Sequence, residues 1–268
     1  MSNNKKNNKI KQRLFPVGPT ININKLKISD NSSYSMTKPK QATEVSKIIK
    51  QYINNKHAKI TECCSNVGGN TISFAKYFDH VYAVEMDKTT YDNLLNNIKI
   101  YGLNNVTTLN KNYLDVWKTI KSDVVFLDPP WGGYGYMKNP VVDLFLSDIN
   151  IIDIIEDLMN MGTKVVVLKG PINYNYDALC KRLCGKYDIH VHDIYEKERI
   201  AFKIFVIVNS RTLYHLFKND PDKLKELMGD KLFHILDELI NKHAVVDDKN
   251  LYEILTKYND NIYNKINH

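Results

Sequence analysis

The sequence predicts an α/β fold built on a doubly wound, mostly parallel sheet of seven strands. Three observations predict it. Five short apolar runs, at residues 58–64, 80–85, 106–109, 123–128 and 164–169, alternate with stretches of helical periodicity. Two further strand-like runs, 189–194 and 200–208, close the series. The polar residues with binding chemistry, Glu62, Glu85, Asn112 and Asp128, fall at the carboxyl ends of these runs, where such sheets hold their ligands.

Taken in order, residues 1–20 are polar and basic, with Pro16, Gly18 and Pro19, and read as a largely disordered arm. Residues 21–57 form an N-terminal helical segment. Within it Val45, Ile48, Ile49 and Tyr52 fall at i, i+3, i+4 and i+7, one face of a helix over 41–53. Residues 58–210 hold the sheet, with helices expected at 71–78, 89–101, 113–120, 148–161 and 176–184. Beyond Ser210 the pattern changes to two amphipathic stripes, Leu232, Ile235, Leu236, Leu239 and Ile240, then Leu251, Ile254, Leu255 and Tyr258. They give 211–268 as a helical appendage, a cap on the sheet or a surface for a protein partner.

The 268 residues carry a net charge of +7. Residues 1–29 hold Lys5, Lys6, Lys9, Lys11, Arg13, Lys25 and Lys27 with no acid, so the whole excess sits there and the rest is balanced. A basic arm of this kind suits a polyanion, and RNA is the natural one. No run of eighteen apolar residues exists and the N-terminus carries no apolar segment. A membrane span and a secretory signal are therefore not expected, and an intracellular protein, cytoplasmic or nuclear and monomeric, is. Cys63, Cys64, Cys180 and Cys184 are too few for a disulfide framework. Cys180 and Cys184 have helical spacing but no second pair of ligands, so they read as buried thiols and no metal is expected.

Chemistry concentrates in Asp128-Pro129-Pro130-Trp131-Gly132-Gly133, directly after the apolar run Val124-Val125-Phe126-Leu127. An exocyclic amine on a purine is a weak nucleophile because its lone pair is delocalised. The Asp128 carboxylate and the Pro129 carbonyl can accept its two N–H groups and localise that pair. Pro130 stiffens the turn, and Trp131 offers a flat face for the base. The turn Glu62-Cys63-Cys64-Ser65-Asn66-Val67-Gly68-Gly69-Asn70-Thr71 lacks the spacing of a dinucleotide or triphosphate loop. Glu85 can grip both ribose hydroxyls, Glu62 can meet a ligand ammonium, and Asn112 can take an adenine amine. That set fits S-adenosylmethionine better than a nicotinamide cofactor.

These residues resemble the trimethylguanosine synthases, the RNA cap guanine-N2 methyltransferases. The matches are Val67-Gly68-Gly69-Asn70-Thr71 with Phe74-Ala75, the block from Asp123 to Gly133 ending at Tyr136, and, upstream, Leu26-Lys27-Ile28 with Tyr34-Ser35-Met36-Thr37. The resemblance covers roughly 13–208. It implies a Rossmann-like methyltransferase with its N-terminal segment folded over the active site. It further implies that Trp131 stacks on 7-methylguanine, that Asp128 faces N2, and that Lys27 and a basic group near Lys169 meet cap phosphates. Thr37, Glu62, Gly68, Asn70, Thr71, Glu85, Asn112 and Asp128 would line the cofactor pocket. The sequence departs from the family at Glu62 and Asn112, where Asp is usual, and at Asn66, where Gly is. Two other readings stay open on residues alone: an adenine-N6 or internal guanine-N2 methyltransferase, and a non-catalytic RNA-binding subunit.

Overall fold

The computed structural model describes residues 2–209 except Asn54 and Gly185, with isolated positions between 222 and 234. The two C-terminal stripes, and the partner surface read from them, lie outside the described residues. The elements run α1 (Ser2–Leu14), a 3-10 turn (Ile23–Lys25), α2 (Asp30–Ser35), α3 (Pro39–Gln51), β1 (Lys59–Glu62), α4 (Thr71–Tyr77) and β2 (His80–Val84). They continue through α5 (Lys88–Tyr101), β3 (Val106–Leu109), α6 (Tyr113–Val116), β4 (Val124–Leu127), a 3-10 turn (Gly133–Lys138), β5 (Phe145–Leu146) and β6 (Ile149–Asn150). The series ends with α7 (Ile151–Asn160), β7 (Val165–Gly170), α8 (Tyr176–Leu183), β8 (Asp188–Glu196) and β9 (Arg199–Val208).

Seven strands form one sheet in the order β3-β2-β1-β4-β7-β9-β8. Every pairing from β3 to β7 is parallel, and β9 runs antiparallel to both its neighbours. At the centre β4 is apolar throughout, and so are the first four residues of β7, because both faces are covered. Alternation then divides their side chains. Val125, Leu127, Val166, Leu168, Phe205 and Ile207 join one core with α7 and α8. Val124, Phe126, Val165, Val167, Ile204 and Val206 join the other, against Val45 and Ile49 of α3 and Phe74 of α4. Strand order reverses between β1 and β4, so the loops leaving their carboxyl ends diverge and open a crevice.

The sheet and its helices follow the sequence reading, with local differences. The helix expected over 113–120 is α6, which stops at Val116. Helix α3 starts at Pro39, two residues earlier than expected, because proline suits the first helical position. The helix expected from 148 starts at Ile151, since 145–150 turn as a small hairpin through Ser147 at φ +53°. The expected pair of free thiols is corrected: Cys184 turns out of α8 in extended conformation and its Cα comes 4.7 Å from that of Cys180, with which it forms a disulfide.

The N-terminal arm also differs from its expected disorder. Residues 2–14 are helical, and Ile10, Leu14 and Phe15 supply an apolar edge that packs with Leu26, Met36, Val67 and Ile72. What ties this segment to the sheet domain is Asn97 of α5, which is fully buried. Its amide donates to Lys27 O at 2.8 Å and Val67 O at 3.0 Å, and its oxygen accepts from Lys27 N at 2.8 Å. Asn97→Ala strands three backbone groups and should cost about 3 kcal/mol of stability, measured by denaturant unfolding. A loss below about 1 kcal/mol would mean that the segment docks without this bridge.

Candidate active site

β1 and β4 are neighbours in register, Glu62 beside Phe126, so the residues that follow them share the crevice. Glu62 closes β1 and is buried. The Thr71 hydroxyl, on the first residue of α4, donates to its Oε2 at 2.5 Å. Burial pushes the Glu62 carboxyl up to about 8, the negative Asp128 adds to the rise, and the Thr71 and Asn70 hydrogen bonds oppose it.

The turn between them is shaped by its backbone. Asn66 takes φ +49°, a left-handed conformation that asparagine tolerates and that explains why glycine also serves at this place. Its N–H donates to Glu85 Oε2 at 2.9 Å, and its side-chain amide reaches Ser35 Oγ at 2.9 Å. Gly69 has no room for a side chain: a Cβ would lie 2.9 Å from both Met36 Cγ and Thr37 O. The N-terminal segment therefore rests directly on this turn. Glu85, just past β2, is fixed by Asn66 N and by Asp87 N, which donates to Oε1 at 2.9 Å. Burial raises its pKa, and the two amide donors oppose the rise.

At the end of β4, Asp128 is followed by a buried Pro129 and an exposed Pro130. Trp131 is half-buried, packs against both cores and meets Tyr136 edge-on with centroids 5.4 Å apart. Gly132 and Gly133 take φ +90° and +67°, so the chain reverses there in a way that side-chain-bearing residues resist. The Asp128 carboxylate accepts from Lys169 Nζ at 2.7 Å on Oδ2. Burial raises its pKa and Lys169 opposes the rise.

Lys169 is thus corrected. Expected to meet phosphate, it is only 4% exposed and its ammonium is spent on Asp128 and on Thr37 Oγ1, 3.0 Å away. The reason is register: Leu127 pairs with Leu168, which sets Lys169 beside Asp128 one step on. Asn112 lies three residues beyond β3 rather than at its end, and caps α6. Its oxygen accepts from Leu114 N at 3.1 Å and its amide donates to Ser147 Oγ at 3.1 Å, so one lone pair expected for adenine is already used. The Lys27 side chain is exposed while its backbone is held by Asn97. Sequence reasoning missed Asn97 and gave Tyr136 no role beyond its place in the matching block. It also missed Asn110, whose amide clasps the Glu85 and Met86 carbonyls at 2.9 and 3.0 Å.

The crevice is rich in acceptors. Besides the Glu62 and Glu85 carboxyls, Asn66 Oδ1 and Asn70 Oδ1 are buried with no hydrogen-bond donor among the described residues. S-adenosylmethionine offers the complement: an ammonium, two ribose hydroxyls and an adenine amine. The residues present fit that group. Because Glu62 keeps its proton in the fold up to about pH 8 and gives it up near 4.5 when unfolded, its contribution is full below about 4.5. It is lost as pH rises toward 8. Thermal melts should therefore show stability falling across that window in the parent protein, and Glu62→Gln should flatten the slope; an equal slope in both would place the proton elsewhere.

A family model for RNA cap guanine-N2 methyltransferases matches residues 57–211, more than half of the chain. An uncharacterised protein of Acanthamoeba polyphaga mimivirus is 32% identical over 219 residues, covering 72% of this chain and 85% of that protein. The trimethylguanosine synthase of Schizosaccharomyces pombe is 34% identical over 126 residues, 44% of this chain and 51% of that enzyme. The trimethylguanosine synthase of Saccharomyces cerevisiae is 28% identical over 170 residues, 59% and 52% of the two chains. The chain thus spans about half the length of each yeast enzyme it matches. Among solved structures, a putative methyltransferase from Porphyromonas gingivalis superposes with a TM-score of 0.54 at 14% identity, over 68% of this chain and 43% of that one. Strand order, cofactor crevice and family match agree: the chain belongs to the RNA cap guanine-N2 methyltransferases, with the class I fold whose methyl donor is S-adenosylmethionine.

Proposed function

We propose that this methyltransferase acts on the N2 amine of an N7-methylated guanosine cap on RNA, giving the 2,7-dimethyl and then the 2,2,7-trimethyl form. The observation that carries this reading is the placement of Asp128 and Trp131 on one stiff turn, at the strand-order reversal and beside Glu62. S-adenosylmethionine supplies an electrophilic methyl group on a sulfonium. The chain's own residues do the rest by position and hydrogen-bond acceptance. Glu85 would hold the ribose hydroxyls, Glu62 and Asn70 the ammonium, and the Gly68–Thr71 turn the backbone path around them. Asn112 would face the adenine edge with its remaining lone pair.

On the other side of the crevice, the Asp128 carboxylate and the Pro129 carbonyl would take the two N–H groups of N2. That draws its lone pair out of the purine ring and toward the methyl. Trp131 would stack on the base. The 7-methyl group leaves that ring cationic, which favours it over plain guanine on an indole. The Lys169 ammonium, 5.3 Å from the same ring centroid, already uses part of the ring's quadrupole. The preference should therefore be about 1 kcal/mol. Lys27, exposed and on the basic N-terminal segment, is the side chain proposed for the cap phosphates. RNA beyond the cap would follow the positive charge of residues 1–29.

Mass spectrometry of an N7-methylated cap analogue, incubated with protein and methyl donor, should show a gain of one and then two methyl groups at N2. No gain, or methylation of uncapped RNA instead, would overturn the reading. Asp128→Ala should lower turnover about 100-fold or more while S-adenosylhomocysteine affinity stays within a few-fold by calorimetry. Unaltered turnover would take the carboxylate out of the reaction. Trp131→Ala should weaken binding of the methylated cap about tenfold or more and erase its advantage over unmethylated cap. An advantage that survives the substitution would move base recognition to another side chain.

A further inference from the structure

We propose that Lys169 is a positioning residue for the methyl transfer: its buried ammonium keeps the Asp128 carboxylate ionised and aimed, and Thr37 of the N-terminal segment completes that grip. The inference rests on the proposed role of Asp128 and extends it to a residue with no substrate contact of its own.

The geometry of the ammonium leaves it little else to do. One N–H goes to Asp128 Oδ2 at 2.7 Å and another to Thr37 Oγ1 at 3.0 Å. Two rings enclose the remainder, Phe202 with its centroid 4.9 Å away and Trp131 at 5.3 Å. A lysine this well enclosed cannot swing out to a phosphate without leaving a buried carboxylate unpaired, which is the costly outcome.

Asp128 needs such a partner. Glu62 at the end of β1 and Cys64 in the turn after it both face Asp128, while Lys169 comes from β7 and Thr37 from the N-terminal segment. Among these described groups the one cation is Lys169. Without it, burial would favour the protonated carboxyl. A protonated Asp128 offers a donor where the amine requires an acceptor, and the lone pair on N2 would stay in the purine ring. Two oxygens also mean two possible orientations, and the bond to Oδ2 selects one.

Thr37 makes the arrangement conditional. Its carbonyl presses on Gly69 of the cofactor turn while its hydroxyl accepts from Lys169. A single residue of the N-terminal segment therefore touches both halves of the site. When the segment is docked, Lys169 is enclosed and Asp128 is held; when it is not, one of the ammonium's two hydrogen bonds is lost. Docking of the segment is in this way linked to readiness of the carboxylate, not only to coverage of the crevice.

The test is a double-mutant cycle read as a pH profile of turnover on the N7-methylated cap analogue, with parent, Lys169→Met, Asp128→Asn and the double variant. Lys169→Met should lower kcat about 30-fold at pH 7 with KM within about threefold, and move the acid limb of the profile up by about one pH unit or more. In the Asp128→Asn background the same lysine change should cost less than about threefold, because Lys169 acts through Asp128. Thr37→Val should move the acid limb in the same direction by a smaller amount. Losses that multiply in the double variant, or an acid limb unmoved by Lys169→Met, would overturn the proposal, and a limb unmoved by Thr37→Val would overturn the link to the N-terminal segment. A carbon-13 titration of the Asp128 carboxyl reads the pair without turnover: its midpoint should rise by about one pH unit or more in Lys169→Met. If Lys169→Met folds poorly, the double variant with Asp128→Asn, which buries no unpaired charge, should recover the parent's melting behaviour; failure to recover would oppose the pairing. Should the parent form no N2-methyl product, the proposed function fails, and the titration still decides whether Lys169 governs Asp128.

Discussion

Two carboxyl groups on adjacent strand ends, with one ammonium to share, set the terms for everything at this crevice. Taking a charge out of water costs several kcal/mol, and the cost is recovered only by well-placed partners. Glu62 and Asp128 solve the same problem in different ways. Asp128 has a full cation at 2.7 Å. Glu62 has a hydroxyl and an amide, which are weaker, and its carboxyl is pushed up to about 8. Burial raises both carboxyls, Lys169 opposes the rise at Asp128, and Glu62 keeps its proton at neutral pH. Environment alone separates the two acids, a pattern by which proteins set two carboxyls to different roles.

The N-terminal segment belongs to this constraint rather than merely sitting on it. Leu14, Phe15, Leu26 and Met36 bury apolar surface against Val67 and Ile72, at the base of the cofactor turn. Asn97 then pins Lys27 and Val67 to one amide, so the segment and the turn share a support. The absence of space at Gly69 follows from the same contact. Because Thr37 follows Met36 directly in the chain, the apolar docking of the segment is transmitted to a polar atom in the centre of the site. Hydrophobic burial, which is non-directional, sets whether the segment docks; the hydrogen bonds of Asn97 and Thr37 set where.

Strands were legible in the sequence because fully buried parallel strands leave a composition that solvent-facing segments do not share: Val124–Leu127 and Val165–Gly170 stand out against a chain rich in Asn and Lys. The Asp-Pro-Pro-Trp turn was legible because proline, tryptophan and paired glycines each restrict the backbone or the surface in a recognisable way. Helix ends depended on caps: Asp87 and Gly102 mark α5 closely, whereas α7 moved because the hairpin before it is too short to show periodicity. Lys169 was seen but misread. The family resemblance assigned a basic group near it to cap phosphate, and only the register between β4 and β7 reveals that an acid waits beside it. Asn97 gave no signal, since a single asparagine on a polar-looking helix face is indistinguishable from an exposed one. The reach of Cys184 back to Cys180 was likewise hidden, because it depends on where α8 stops.

The charge arithmetic of the crevice bears on which ligand it suits. With Glu62 protonated, Asp128 and Lys169 neutralise one another and the group is balanced. A ligand that brings an ammonium to Glu62 can displace that proton, leaving two carboxylates opposite two cations and the balance intact. A ligand bringing a phosphate to the same place would supply no cation in exchange for that proton, and the one lysine beside it is already committed to Asp128. On the proposed reading the site would therefore favour a nucleoside linked to an amino acid over a nucleotide, before any contact with ribose or base is considered. The acceptor-rich turn with its Asn66 and Asn70 oxygens points the same way, because a phosphate has no donors to offer them. On the proposed reading, Glu62 and Asp128 would select for the class of cofactor that the fold houses, while Lys169, paired with Asp128, would keep that carboxylate ready to receive the amine.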